Sequence, residues 1–286
     1  MISDITLGQF FPGFSPLHKL DPRTKIILAV ISIVGVFFAN NPVSFALITL
    51  ATLSLIIVSR ISLKVILKGI KPLIFILIFT AVLNVFMTGG TGEPLVEFWI
   101  FSIYTEGIVR AVYMALRVIL LIVITSMFLT YTTSPISLTD GLESLLSPLK
   151  LIRIPVHTFA MMMSIALRFI PTLVEETEKI MNAQKSRGAD FSSGGLIKRA
   201  KALVPILIPL IVSSFKRAED LATAMECRCY RGDKKRTKLV KLQFKWRDVI
   251  WFVSFGVFLA GVILVTILPY KFDVSSFAYD IIFYKV

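Results

Sequence analysis

The chain has 286 residues, 56% apolar and 17% charged, with a net charge of +13 and a mean hydropathy of +0.81. An ordinary soluble domain is ~45–50% apolar, and here the apolar residues come in blocks long enough to cross hydrocarbon, which takes about 20 residues of helix; soluble, secreted, fibrous and disordered classes are excluded. The positive charge does not point to nucleic acid, because it is sorted by segment: 20 of the 31 Lys and Arg lie between Lys150 and Arg247, as expected of stretches held on the cytoplasmic side of a membrane.

The first 20 residues hold no uninterrupted apolar run behind a basic start, so no cleavable signal is read and the first span itself directs insertion. Asp21-Pro22 combines a capping carboxylate with a proline suited to the first helical position, and predicts a span over 22–40. Asn40-Asn41-Pro42 is a turn with a second cap-plus-proline signal, so 43–59 returns across the bilayer. Arg60, Lys64, Lys68 and Lys71 hold that end inside. Lys71-Pro72 opens a third span, 72–87, which ends in a glycine-rich stretch, Thr88 to Gly92. The loop to Gly107 carries Glu93, Glu97 and Glu106 without Lys or Arg and is read as external. A fourth span, 107–130, carries Arg110 and Arg117 on one face.

Residues 1–133 thus form an N-terminal transmembrane domain of four spans. Residues 134–233 follow as a coupling domain, with apolar runs at Val156 to Ile170 and Leu203 to Phe215 that continue into, or open from, charged sequence. Such runs are two more spans or amphipathic helices lying half under the membrane; the continuity of Glu175 to Lys185 with the first run favours amphipathic helices. Pro205 and Pro209 predict a kink in the second. A basic linker from 234 leads to a last span, 250–268, and a C-terminal tail. The fold expected is an all-α integral membrane protein of about five transmembrane helices plus a cytoplasmic or interfacial coupling domain of long amphipathic helices, with the N-terminus inside and the C-terminus outside.

The two long helices end alike, at about 187 and 228. One closes on Ser186-Arg187-Gly188 and the other on Cys227-Arg228-Cys229, a small residue, an arginine and a small residue 41 positions apart. Small neighbours let a partner surface approach a planar cation, which makes each arginine an interface anchor; a helix dipole also favours a basic residue at this place. Cys227 and Cys229 lie in the basic segment assigned to the reducing cytoplasm, and neither a disulfide nor a metal site is expected of them. His18 reads as a capping or packing residue. Arg110 reaches toward headgroups, while the deeper Arg117 has no evident partner in the sequence. Met161, Met162 and Met163, with Ile165, offer a flexible apolar surface for a changing partner or for core packing.

The segment Pro12-Gly13-Phe14-Ser15-Pro16-Leu17-His18-Lys19-Leu20-Asp21-Pro22-Arg23, together with the two arginine triplets, resembles the T component of energy-coupling factor transporters. The similarity covers essentially the whole chain in the same order: four spans, a coupling region, a final span. The resemblance implies that Arg187, with Ser186 and Gly188, docks into a groove on one ABC-type ATPase subunit and that Arg228, with Cys227 and Cys229, docks into another. It implies further that the coupling helices cradle a small substrate-binding membrane subunit, through a surface here assigned to Met161, Met162, Met163 and Ile165. Two departures show: Phe14 stands where the family has Asp, and Cys229 where it has Gly.

The chain has no Gly-x-x-x-x-Gly-Lys-Ser/Thr loop, so ATP and Mg are expected on partner subunits and no cofactor in this chain. The implied function is the coupling subunit of a micronutrient importer, for a vitamin or a metal ion, in a prokaryotic cell membrane. The competing readings are a polytopic membrane enzyme, for which Asp21, Asp140 and Glu143 are too scattered, and an independent carrier or channel, for which no duplicated broken spans are visible.

Overall fold

A computed structural model describes residues 10–89, 96–98, 101–189, 191, 195–230, 232 and 242–267. The helices are α1 (Pro22–Phe38), α2 (Pro42–Ser59), α3 (Leu63–Ile70), α4 (Ile74–Met87), α5 (Thr105–Thr125), α6 (Pro135–Leu145), α7 (Val156–Ser186), α8 (Leu196–Cys227) and α9 (Trp246–Ile267). A short antiparallel pair, β1 (Val96–Phe98) and β2 (Phe101–Ile103), lies between α4 and α5 in what the sequence presents only as a loop. The N-terminal residues 1–9, much of the basic linker and the tail beyond 267 lie outside the described residues.

Among the described residues, five helical segments are long and apolar enough to cross a membrane: Pro42–Ser59, Leu63–Met87, Thr105–Tyr131, Val156–Ser186 and Trp246–Ile267. The expected number is met by a partly different set. α1 has 17 residues, about 25 Å of helix and the short end of the length that crosses hydrocarbon; it stops at Phe38 because Ala39 turns to extended backbone. α7 joins the set because its apolar half and its polar half are one helix. The third span also begins earlier than Lys71-Pro72 suggests. α3 runs into one turn of 3-10 helix, Lys71–Leu73, and on into α4. Pro72 sits in the opening turn of that junction, where its missing N–H costs little.

The helix starts divide in the same way. Asp21 caps α1, its carboxylate accepting from the Arg23 N–H at 2.9 Å. Asn41 stands at the start of α2 but makes no side-chain cap; its Nδ2 donates instead to the Val265 carbonyl of α9 at 3.3 Å. Pro42 alone sets the φ of the first turn.

The described residues divide into two compact units, 10–141 with 242–267, and 142–232. The cut falls inside α6 and not before it, because Gly141 lies against Pro22 and Ile26 of α1 with no room for a larger residue. In the first unit α4 packs along α5, and α1 packs against α5 and α9. Leu28, Val36, Ile48, Leu120, Phe128 and Val262 are fully or almost fully buried between these helices, while Phe75, Phe79 and Met87 of α4 face outward, as a lipid-facing side requires. Gly107 opens α5 at 3.1 Å, measured from where a Cβ would stand, from the Val85 carbonyl, which lets α4 and α5 approach closely.

Three charged side chains of this unit close on the unit's own backbone. Lys25, 2% exposed, donates through Nζ to the Thr132 carbonyl at 2.7 Å. Asp248, also 2% exposed, accepts from the Asp21 N–H at 2.9 Å and from the Lys245 N–H at 2.8 Å, so one carboxylate ties the start of α1 to the start of α9. Arg117, without a visible partner in the sequence, donates to the Ala39 carbonyl at the end of α1 and lies over the Phe45 ring, 5.3 Å from its centroid. His18 packs as expected: Nδ1 meets the Ser15 hydroxyl at 2.6 Å and Nε2 the Phe11 carbonyl at 2.9 Å.

Candidate coupling site

The second unit is built around α7 and α8, helices of 31 and 32 residues. Pro171 lies inside α7, a breaker the sequence reading passes over, and Pro205 and Pro209 lie inside α8; both helices continue through them. Each proline leaves one carbonyl of the preceding turn without its helical donor.

Both helices stop in the same way. Arg187 is the C-cap of α7; the Gly188 N–H donates to the Lys185 carbonyl at 2.9 Å and the Ala189 N–H to the Gln184 carbonyl at 3.0 Å. Arg228 is the C-cap of α8; the Cys229 N–H donates to the Glu226 carbonyl at 2.8 Å and the Tyr230 N–H to the Met225 carbonyl at 3.0 Å. These paired bonds form the Schellman motif, which needs a left-handed residue after the cap. Gly188 supplies it at φ 87° and Cys229 at φ 55°. Gly188 adopts that conformation freely, having no Cβ, and Cys229 against the steric cost of its own; in both helices the third member of the triplet turns the chain so that the arginine stands at the tip. Ser186, Arg187, Gly188, Cys227, Arg228 and Cys229 are all exposed, and both cysteines are free thiols.

The two helices meet at Glu176. Its carboxylate accepts from the Ser213 hydroxyl through Oε1 and from the Arg217 guanidinium through Oε2. Beside this contact a groove of about 310 Å³ is lined by Ile165, Phe169 and Leu173 of α7 and by Ser214, Leu221 and Met225, among others, of α8. Going back along α7 from Glu176 thus accompanies going forward along α8, so the helices run antiparallel here. Their C-terminal ends diverge, each after about three turns or ~16 Å, which puts Arg187 and Arg228 on the order of 30 Å apart.

The four apolar residues assigned to a partner surface separate. Met162 and Met163 are exposed and Met161 is half-buried, but Ile165 faces the groove against α8. A larger outward apolar surface lies on α8, where Leu203, Val204, Leu207, Ile208, Ile211 and Phe215 are exposed. Sequence reasoning also missed two side-chain contacts of this unit, the ion pair of Glu176 with Arg217 and the hydrogen bond between Glu143 and His157 Nδ1 at 2.9 Å. The second had a visible signal, a histidine and a carboxylate each standing inside an apolar stretch.

Comparison with known proteins bears on this arrangement directly. Residues 13–239 match the model of the CbiQ family, described as cobalt transport protein. The chain is 54% identical over 265 residues to the energy-coupling factor transporter transmembrane protein EcfT of Ruminiclostridium cellulolyticum, covering 92% of this chain and 98% of that one. The chain belongs to the family of energy-coupling factor transporter transmembrane proteins. EcfT of Clostridium kluyveri is 54% identical over 87% of this chain and 92% of its own length, and EcfT of Bacillus subtilis is 47% identical over 89% and 95%. As a member of that family the chain is a multi-pass membrane protein and the transmembrane component of a transporter, and the resemblance drawn from its N-terminal segment and triplets is confirmed.

Proposed function

We propose that this transmembrane component couples two ABC-type ATPase subunits to a separate small substrate-binding membrane subunit, and that it does no chemistry of its own. In this reading Arg187 and Arg228 each enter a groove on a different ATPase, which binds the ATP and Mg. The apolar surface of α7 and α8, with Met161 to Met163, meets the substrate-binding subunit, which selects the vitamin or metal ion carried. The triplets and the region from 134 to 247 face the cytoplasm of a prokaryotic cell, the N-terminus lies inside and the C-terminus outside.

The observation that carries the proposal is the matched ending of the two helices. A basic residue at a helix C-terminus is favoured by the dipole alone, by about 0.3–1 kcal/mol. Here two carbonyls at each helix end, those of Gln184 and Lys185 and those of Met225 and Glu226, are already taken by the N–H groups of the Schellman turns. The guanidiniums are left at two exposed tips, with five donors each and no capping duty. Their separation matches two partners better than one.

Photo-crosslinking amino acids at positions 189 and 230, in the assembled transporter, test this. Each should capture an ATPase subunit, and with two distinguishable ATPases the two positions should capture different ones. Capture of neither, with uptake intact, would leave only the dipole role for the arginines.

A further inference from the structure

We infer that Glu176, held by Ser213 and Arg217, is the positioning contact that fixes the distance and direction of the two docking arginines. The inference rests on the coupling role proposed above for Arg187 and Arg228. Glu176 and Arg217 are 41 positions apart, the same offset that separates the two arginines. Each latch residue therefore precedes the arginine of its own helix by the same length of chain, about three turns. Three turns return a side chain to nearly the same face, to within about 20°. Arg187 thus stands on the α7 face that carries Glu176, and Arg228 on the α8 face that carries Arg217, at equal distances on either side of the contact.

The contact is suited to hold that geometry. Ser213 and Arg217 are one turn apart on one face of α8, and they bind the two oxygens of a single carboxylate. Apolar packing between two helices tolerates sliding and rotation; a two-pronged polar contact permits one register and one azimuth. Arg217 also lines the apolar groove, and its Nη1 is buried without a hydrogen-bond partner, while the Arg217 and Glu176 side chains are 32% and 20% exposed, so the ion pair is shielded from water in part. Loss of the latch would leave the helices together, through Phe169, Leu173 and Leu221, but free to change their crossing. A shift of one residue in register moves an arginine by about 1.5 Å and turns it by about 100°, enough to withdraw it from a groove.

The test uses the complete transporter in nanodiscs, with genetically encoded spin labels at the exposed positions 182 and 223, one turn short of each triplet. The unaltered chain should give one narrow distance distribution. Glu176→Gln and Arg217→Gln should broaden it and lower uptake about two- to thirtyfold, the range of coupling energies that such positions modulate. The swap of Glu176→Arg with Arg217→Glu should narrow it again and recover most uptake, which general misfolding would not allow. An unchanged distribution and unchanged uptake in both single variants would overturn the inference and leave the docking role standing. Failure of that role reads differently: Arg187→Ala and Arg228→Ala would then keep full ATPase association while the latch still sets the label distance.

Discussion

Cations are used in opposite ways in the two units. In the first, Lys25 and Arg117 each close on a backbone carbonyl of the chain itself, at Thr132 and at Ala39. In the second, Arg187 and Arg228 also stand at helix ends, but Schellman turns have already taken two carbonyls at each end and the arginines are exposed. The same residue chemistry holds a membrane bundle together in one place and is presented outward in the other. Position at a helix end therefore says little about what an arginine does; what decides is whether the carbonyls there still lack a donor.

That contrast can be broken in graded steps. The largest expected effect is on the first unit: Asp248→Ala leaves the buried Asp21 N–H and the Lys245 N–H without their acceptor and should cost about 3 kcal/mol, read as a lowered unfolding midpoint in detergent with no specific loss of ATPase binding. Arg117→Ala should cost about 1–2 kcal/mol through the lost bond to the end of α1 and the lost stacking on Phe45, and Lys at this position should restore part of it.

Smaller effects sharpen the comparison at the helix tips. Gly188→Ala puts a Cβ on a left-handed residue and should weaken the α7 terminus by about 1 kcal/mol, whereas Cys229→Gly removes that strain and should strengthen the α8 terminus by about the same. Hydrogen exchange of the amides at 189 and 230 should show the two shifts with opposite sign. The smallest effect concerns His18, whose pKa is lowered, chiefly by burial and also by the nearby Lys25, with the Phe11 carbonyl working in the opposite direction. The unfolded chain then binds the proton more readily than the folded one, so the contribution of His18 is full above its unfolded value of about 6.5 and declines as pH falls below it. Acidification from pH 7 to 5 should loosen the segment around Phe11 to His18, seen as faster proteolysis there, and His18→Gln should remove the dependence.

Local signals made much of this architecture legible. Asp21-Pro22 marks the start of α1, and the matching triplets mark the ends of α7 and α8, because capping and left-handed turns depend on a few adjacent residues. Long-range polar pairing was not legible. Nothing near Asp248 announces that it will hold the start of α1, and nothing near Arg117 announces Ala39; these pairs exist only once the helices have packed. Pro72 misled in the same way, since a proline at a first turn reads as a helix start even when another helix runs straight into it. The latch of Glu176 with Arg217 lay between the two kinds: its offset equals that of the triplets, but without the packing of α7 on α8 there was no reason to compare them.

The most direct measurement of the central claim is co-purification and uptake for R187A, R228A and the double variant. The double variant should insert normally, lose both ATPases and lose uptake, with roughly 2–5 kcal/mol of association removed per buried contact. Each single variant should weaken both, to unequal degrees, and lysine at either position should rescue only in part, because it keeps the charge without the planar fork. Full ATPase retention and full uptake by the double variant would contradict the account.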